Sequence, residues 1–74
     1  MEKYYLTNKV AELRKQKGWS QKEFVDLLSL RMASDIEYVT YGHWERGIRS
    51  INATVAVEVS KLLEVSIKEV VVLK

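Results

Sequence analysis

Residues 20–47 read SQKEFVDLLSLRMASDIEYVTYGHWERG, and this stretch decides the fold. Ser20 is followed three residues later by Glu23 and then by apolar positions, the pattern of a capping box that opens a helix. Ser34 and Glu37 repeat this spacing ahead of a second apolar segment. Gly47 can adopt the left-handed conformation that ends a helix. The stretch therefore predicts two short helices joined by a brief link.

The extents of these two helices follow from the apolar positions. The helix after Ser20 buries Phe24, Val25, Leu27 and Leu28. Its end is open, because Leu30, Met32 and Ala33 can extend it past Arg31. The next helix is predicted over residues 35–46, with Ile36, Tyr41 and Trp44 as its inward side chains.

The flanking sequence predicts three more helices. Thr7 is a candidate N-cap and Gly18 a candidate stop, which places a first helix over residues 8–17. Trp19 precedes the N-cap of the second helix, where it can staple the two helices together. A fourth helix follows Asn52 and presents Val55, Val59, Leu62 and Leu63 on one face. A third capping box, from Ser66 to Glu69, predicts a short last helix, and the apolar tail 70–73 has no assignment.

Length and composition limit the class of protein. Seventy-four residues with 47% hydrophobic side chains predict one folded domain over residues 1–74. The chain has no Cys, no apolar run long enough to span a membrane, and no apolar region of a secretory signal after Met1. We therefore expect a soluble cytoplasmic protein. The net charge of +2 agrees with a nucleic-acid partner without requiring one.

Two short helices with a brief link in a small basic chain are typical of a helix-turn-helix, a motif that places a helix in the major groove of DNA. Three segments carry a likeness to a known family. They are residues 10–24, centred on LRKQKGWSQ at 13–21; WERG at 44–47; and residues 51–70, which close with VSIKEV at 65–70. Together they resemble the Cro/repressor-type (XRE-like) helix-turn-helix family of phage and bacterial regulators. The resemblance implies an all-α, compact five-helix bundle like the lambda-repressor DNA-binding domain. It also implies a transcriptional regulator of phage or mobile-element type, with a double-stranded DNA operator as its partner.

The resemblance assigns residues to this DNA contact. Gln21 matches the family position that holds a phosphate, and helix N-termini bind anions readily. Positions counted back from Glu45 face the bases, and Arg46 and Arg49 flank the glycine turn that lies along the phosphates. The predicted DNA-binding residues are Gln21, Lys22, Tyr38, Val39, Thr40, His43, Arg46 and Arg49. For each of them an ordinary surface or core role is the alternative. Arg14 is expected to pair with Glu45 inside the bundle.

Two departures from the family pattern favour an alternative function. The chain is longer than the family between the Gln of helix two and WERG, with the extra residues at 28–35. Asp35 and Glu37 are expected in the first turn of helix three, where they favour the helix dipole but repel a DNA backbone. They are instead candidate partner-binding residues of an antirepressor, or modulator, that binds a repressor protein and alters its DNA binding.

No catalytic arrangement is visible, so we expect no enzyme, no cofactor and no metal. His43 is the single histidine, and the chain has neither Cys nor a Gly-rich phosphate loop. Two-fold operators are commonly bound by dimers, so a homodimer is expected under the DNA-binding hypothesis. The tail 70–73 and the exposed valines of helix four are the candidate dimer patch.

Overall fold

A computed structural model describes residues 2–74, and most of them are helical. In chain order the elements are β1 (Tyr4–Leu6), α1 (Lys9–Gln16), α2 (Gln21–Met32), α3 (Tyr38–Glu45), α4 (Ala53–Leu63), α5 (Ile67–Val70) and β2 (Val71–Leu73). The five predicted helices are confirmed. A small two-stranded sheet, which the sequence did not predict, joins the two ends of the described chain.

The start of α2 forms as its sequence predicts. The Glu23 N–H donates to Ser20 Oγ at 3.1 Å, and the Ser20 N–H donates to Glu23 Oε1 at 2.9 Å. These two bonds complete a capping box and satisfy two backbone donors that the first helical turn leaves free. The ring of Trp19 lies 5.8 Å from that of Phe24, so an apolar staple closes the same helix end.

The second predicted capping box does not form, and α3 begins at Tyr38 rather than at residue 35. The reason lies at the end of α2, which continues to Met32 and stops where Ala33 turns left-handed, with φ of 51°. Residues 34–37 then form an irregular link. Ser29 Oγ accepts the Ile36 N–H at 3.2 Å, a bond that fixes the link outside a helix. The extra residues therefore lengthen α2 and the link, while α3 stays at eight residues.

The remaining helix ends agree with the sequence in part. Gly18 and Gly47 both have positive φ, at 80° and 73°, as the two predicted stops require. Asn52 caps α4 by accepting the Val55 N–H at 2.9 Å. The N-cap of α1 is Asn8 and not Thr7, whose hydroxyl donates instead to the Glu69 carbonyl. The prediction of a third capping box is also wrong, because α5 is a single turn and the Ser66 side chain does not cap it.

The unassigned tail is a strand. β2 pairs antiparallel with β1, with Tyr4 opposite Leu73 and Leu6 opposite Val71. The Thr7 N–H donates to the Val70 carbonyl at 2.8 Å, which continues the pairing into α5. The β-branched residues of β2 suit a pleated strand. Its partner strand, β1, lies more than 60 residues earlier in the chain.

The core lies between α2, α3, α4 and the inner face of the sheet. Its largest fully buried side chains are those of Tyr41, Phe24 and Leu28. A row of aromatic contacts runs from Trp19 through Phe24 and Tyr41 to Trp44, with ring centroids 5.6–6.3 Å apart. Among the predicted inward residues, Ile36, Trp44, Leu27 and Leu62 are only half-buried. The row of aromatic contacts packs α3 against α2.

Candidate nucleic-acid interface

A buried ion pair fixes α3 to α1. Arg14 Nε donates to Glu45 Oε2 at 3.1 Å, and Nη2 donates to Oε1 at 3.0 Å. The two side chains are 7% and 6% exposed, and a third bond joins Arg14 Nη1 to the Trp19 carbonyl at 2.8 Å. The pairing expected from the sequence is confirmed, in the two-point geometry that arginine and carboxylate favour.

The local electrostatics keep this pair ionised. The hydrogen bond to Glu45 raises the pKa of Arg14 above its ordinary value. Burial is the largest single influence and raises the pKa of Glu45, but the hydrogen bonds that its carboxylate accepts and the charge of Arg14 together outweigh burial, so the net shift is downward. Burial also raises the pKa of Tyr41, whose hydroxyl has no hydrogen-bond partner within residues 2–74.

Gln21 is tied to the same carboxylate. It is the first residue of α2, and its Nε2 donates to Glu45 Oε1 at 3.2 Å. The side chain therefore bridges the N-terminus of α2 and the C-terminal end of α3. The bond holds its amide against α3 while the residue itself stays exposed.

Four of the predicted DNA-binding residues border one shallow groove beside this bridge. Gln21, Tyr38, Val39 and Arg46 line it together with Gly42. Val39 is 70% exposed and Tyr38 is 49% exposed, although both are large and apolar. Gly42 has no Cβ, and apart from its own stretch of helix no atom lies within 4 Å of the place where a Cβ would stand. Sequence reasoning missed Gly42 as a groove residue, although a glycine inside a helix was a visible signal.

Lys22 lies at the edge of this surface, where Asp26 binds its ammonium group. Asp26 was not among the residues predicted for the site. Lys22 Nζ lies 3.2 Å from Asp26 Oδ2, and the Tyr38 hydroxyl donates to Asp26 Oδ1 at 2.9 Å. The hydrogen bond from Tyr38, followed by that from Lys22, lowers the pKa of Asp26. The i, i+4 spacing of Lys22 and Asp26 was a readable signal for this pair.

The other predicted contacts lie around α3. Thr40 and His43 are half-buried, and Thr40 lines a separate depression beside the link. Arg49 is exposed in the segment that follows Gly47. Among the described residues, neither Arg46 nor Arg49 forms a salt bridge. Arg46 Nε donates to the Gly42 carbonyl at 3.3 Å, which leaves its two Nη groups for an anion.

Comparison with known proteins identifies this architecture. A helix-turn-helix family model matches residues 10–70, which is most of the chain. The chain belongs to the Cro/XRE-type helix-turn-helix family. This is a family of DNA-binding transcription regulators. No curated protein and no solved structure shows significant similarity to the chain.

In this helix-turn-helix protein, α2 and α3 are the motif's two helices and the link is its turn. Asp35 and Glu37 lie in that turn. The prediction that placed them in the first turn of α3 is therefore wrong. Glu37 is the N-cap position and Asp35 lies two residues before it, both exposed. With Asp26, Leu30 and Tyr38 they border a depression on the side of the link.

Two further features concern residues 2–74 as a whole. None of their helices is both long and apolar enough to cross a membrane. Within that range no three His, Cys, Asp or Glu side chains come together as a metal site would require.

Proposed function

We propose that this helix-turn-helix protein is a transcription regulator of phage or mobile-element type, which places α3 in the major groove of its operator. The observation that carries the proposal is the bridge from Gln21 to Glu45 beside the exposed face of α3. The buried pair of Arg14 and Glu45 holds α3 rigidly, so that its outer face keeps a fixed orientation to the N-terminus of α2. A rigid platform of this kind reduces the entropy that docking on DNA costs.

The phosphate contacts in this proposal come from the N-terminus of α2 and from the two arginines on either side of Gly47. The N-terminus of α2 offers the free backbone N–H groups of Gln21 and Lys22, since the Glu23 N–H is already capped by Ser20. Beside Gly47, Arg46 and Arg49 form no salt bridge among residues 2–74. Phosphate contacts of this type fix the register of the protein on the duplex but carry no sequence information.

In this proposal the base contacts belong to two exposed residues of α3, Tyr38 and Val39, and to two half-buried ones, Thr40 and His43. Val39 offers an apolar surface suited to a thymine methyl, and its 70% exposure is otherwise unfavourable for a valine. Thr40 and His43 provide hydroxyl and imidazole groups that can hydrogen-bond base edges. The Tyr38 hydroxyl is held by Asp26, so Tyr38 is oriented before DNA arrives.

A titration of labelled duplex by fluorescence anisotropy tests this proposal. The duplexes are the DNA upstream of the protein's own gene and an unrelated sequence, each at several salt concentrations. Binding should favour the upstream DNA and weaken steeply with salt. Arg49→Ala should lower the slope of log K against log salt by about 0.9, the value for one phosphate contact.

The control is Lys9→Ala, which removes a positive charge at a different place. Lys9 pairs with Glu69 at 3.9 Å and lines a depression that shares no residue with the groove of Gln21. Its slope should match that of the wild type. Equal losses in Arg49→Ala and Lys9→Ala would show that net charge, and not this surface, governs binding.

A second candidate function rests on the acidic side of the link. Asp35 and Glu37 form no salt bridge within the described chain, and Leu30 beside them is 78% exposed. Exposed acids around an apolar side chain suit a basic partner protein, as an antirepressor that binds a repressor would require. If this candidate is right, Asp35→Lys should abolish binding to a partner repressor, while Arg49→Ala leaves that binding unchanged.

A further inference from the structure

Three side chains form a polar cluster where α3 begins, namely Lys22 and Asp26 of α2 and Tyr38 of α3. The Tyr38 hydroxyl donates to Asp26 Oδ1 at 2.9 Å, and Lys22 Nζ lies 3.2 Å from Asp26 Oδ2. The same ammonium group lies 5.7 Å from the centroid of the Tyr38 ring, within the range of a cation–π contact. Both the ring and the hydroxyl of Tyr38 are therefore held, although the residue is 49% exposed.

Charge fixes the direction of the hydrogen bond between Tyr38 and Asp26. A tyrosine hydroxyl has one hydrogen and two lone pairs, whereas an ionised carboxylate only accepts. The hydrogen bond from Tyr38, followed by that from Lys22, lowers the pKa of Asp26, so its carboxylate is ionised at neutral pH. A bond to an ionised acceptor is about twice as strong as one between neutral groups. The hydroxyl hydrogen therefore stays with Asp26, and only the lone pairs of the Tyr38 oxygen remain for a ligand.

On the major-groove edges of the bases, two groups can donate to such an oxygen, the N6 amino group of adenine and the N4 amino group of cytosine. Guanine and thymine present only acceptors there. We infer that Tyr38 reads an amino base, adenine or cytosine, by accepting a hydrogen bond from its amino group, and that Asp26 sets this preference. Asp26 is a positioning residue, because it acts through Tyr38 and does not touch the base. The inference rests on the proposed function, since it requires α3 in the major groove.

The hydroxyl oxygen of Tyr38 then reads the orientation of a base pair. Every Watson–Crick pair holds one amino base and one keto base, so the oxygen distinguishes A·T from T·A and C·G from G·C. It accepts A·T and C·G alike. A keto base in the same place would turn its carbonyl oxygen toward the lone pairs of Tyr38, and this repulsion rejects it. Without Asp26 beside it, the hydroxyl could donate as well as accept, and it would find a partner on all four bases.

Anisotropy titrations with single base pairs of the upstream duplex replaced in turn test this inference. Tyr38→Phe keeps the ring but loses the oxygen, so it should lose discrimination at one base pair. At that pair the amino base is then replaced by an analogue that lacks only the amino group, purine for adenine or 2-pyrimidinone for cytosine. The analogue should weaken binding of the wild type by about two- to tenfold, the effect of one hydrogen bond, and leave binding of Tyr38→Phe unchanged.

Two variants of α2 separate the role of Asp26 from that of its charge. Asp26→Ala frees the hydroxyl hydrogen, so the keto base at that pair should bind nearly as well as the amino base. Lys22→Met is the matched control, because it keeps the bond between Asp26 and Tyr38, and it should weaken binding to all sequences alike. If the analogue affects the wild type and Tyr38→Phe equally, or if Asp26→Ala keeps the wild-type preference, the inference is overturned and the proposed function stands. A wild type that binds neither duplex would contradict both.

Discussion

Replacing Glu45 by Gln tests how strongly the buried ion pair holds α3 in place. The substitution keeps the size of the side chain and its ability to accept from Gln21, but it leaves the Arg14 guanidinium without its carboxylate. Arg14 is 7% exposed at the side chain, so water cannot replace the lost charge. Breaking a buried pair in this way costs about 3–5 kcal/mol, because an uncompensated charge remains inside.

That cost is large for a chain of this size. At about 0.05–0.15 kcal/mol per residue, 74 residues give a total stability of roughly 4–11 kcal/mol. Each kcal/mol shifts the melting temperature of such a domain by about 4–8 °C, so Glu45→Gln should lower it by at least about 12 °C. Replacing both partners by Met removes the two charges together and should cost much less.

Urea and thermal unfolding followed by circular dichroism measure these differences. The matched control is Glu58→Gln, which breaks the pair with Arg31 at 3.3 Å, where the arginine side chain is 41% exposed. That pair should contribute no more than about 1 kcal/mol to the free energy of unfolding. If Glu45→Gln loses no more stability than Glu58→Gln, the ion pair does not anchor α3, and our account of how Gln21 is positioned fails with it.

Four further predictions concern the stability of the fold. Although burial raises the pKa of Glu45, the net shift in the folded state is downward. Its ionised form therefore stabilises the fold above an unfolded pKa of about 4.3, and this contribution disappears as the pH falls through the folded pKa. The difference in urea midpoint between wild type and Glu45→Gln should accordingly shrink below about pH 4, and a constant difference would contradict the assignment. Gly47→Ala should destabilise by about 1 kcal/mol, because φ there is 73° and the added Cβ has room but a strained backbone. Gly42→Ala should stabilise by about 0.8 kcal/mol, because Gly42 lies within a helix with open space at its Cβ; the same sign for both would refute this distinction. Ser20→Ala should cost about 1 kcal/mol by removing one bond of the capping box, which a melting curve with no shift would exclude.

The sequence predicted those features that local chemistry determines. Ser20 and Glu23 form their capping box because both partners lie within one helical turn and nothing else competes for them. Ser34 and Glu37 have the same spacing and fail, because Ala33 has already ended α2 in a left-handed turn and Ser29 holds the Ile36 N–H. A spacing rule takes no account of such a competing bond from the preceding helix.

Features that depend on distant parts of the chain were missed, with the exception of one ion pair. The tail 71–73 is a strand only because Tyr4–Leu6 lies beside it, and no periodicity within three residues could reveal that partner. Arg14 and Glu45 were paired correctly, since the family resemblance supplied the long-range contact that spacing alone does not. In the candidate site, Asp26 and Gly42 were overlooked because their roles depend on how α2 and α3 meet.

The central claim is that DNA binds where α3 lies beside the N-terminus of α2, and amide chemical shifts test it most directly. The ¹⁵N-labelled protein is titrated with the upstream duplex, and each backbone amide is followed by NMR. We expect the largest changes at Gln21, Lys22, Val39 and Arg46, with small changes on α5 and on residues 34–37 of the link. If the largest changes instead fall on the link around Asp35 and Glu37, or if no amide responds at moderate salt, the account of this surface is wrong.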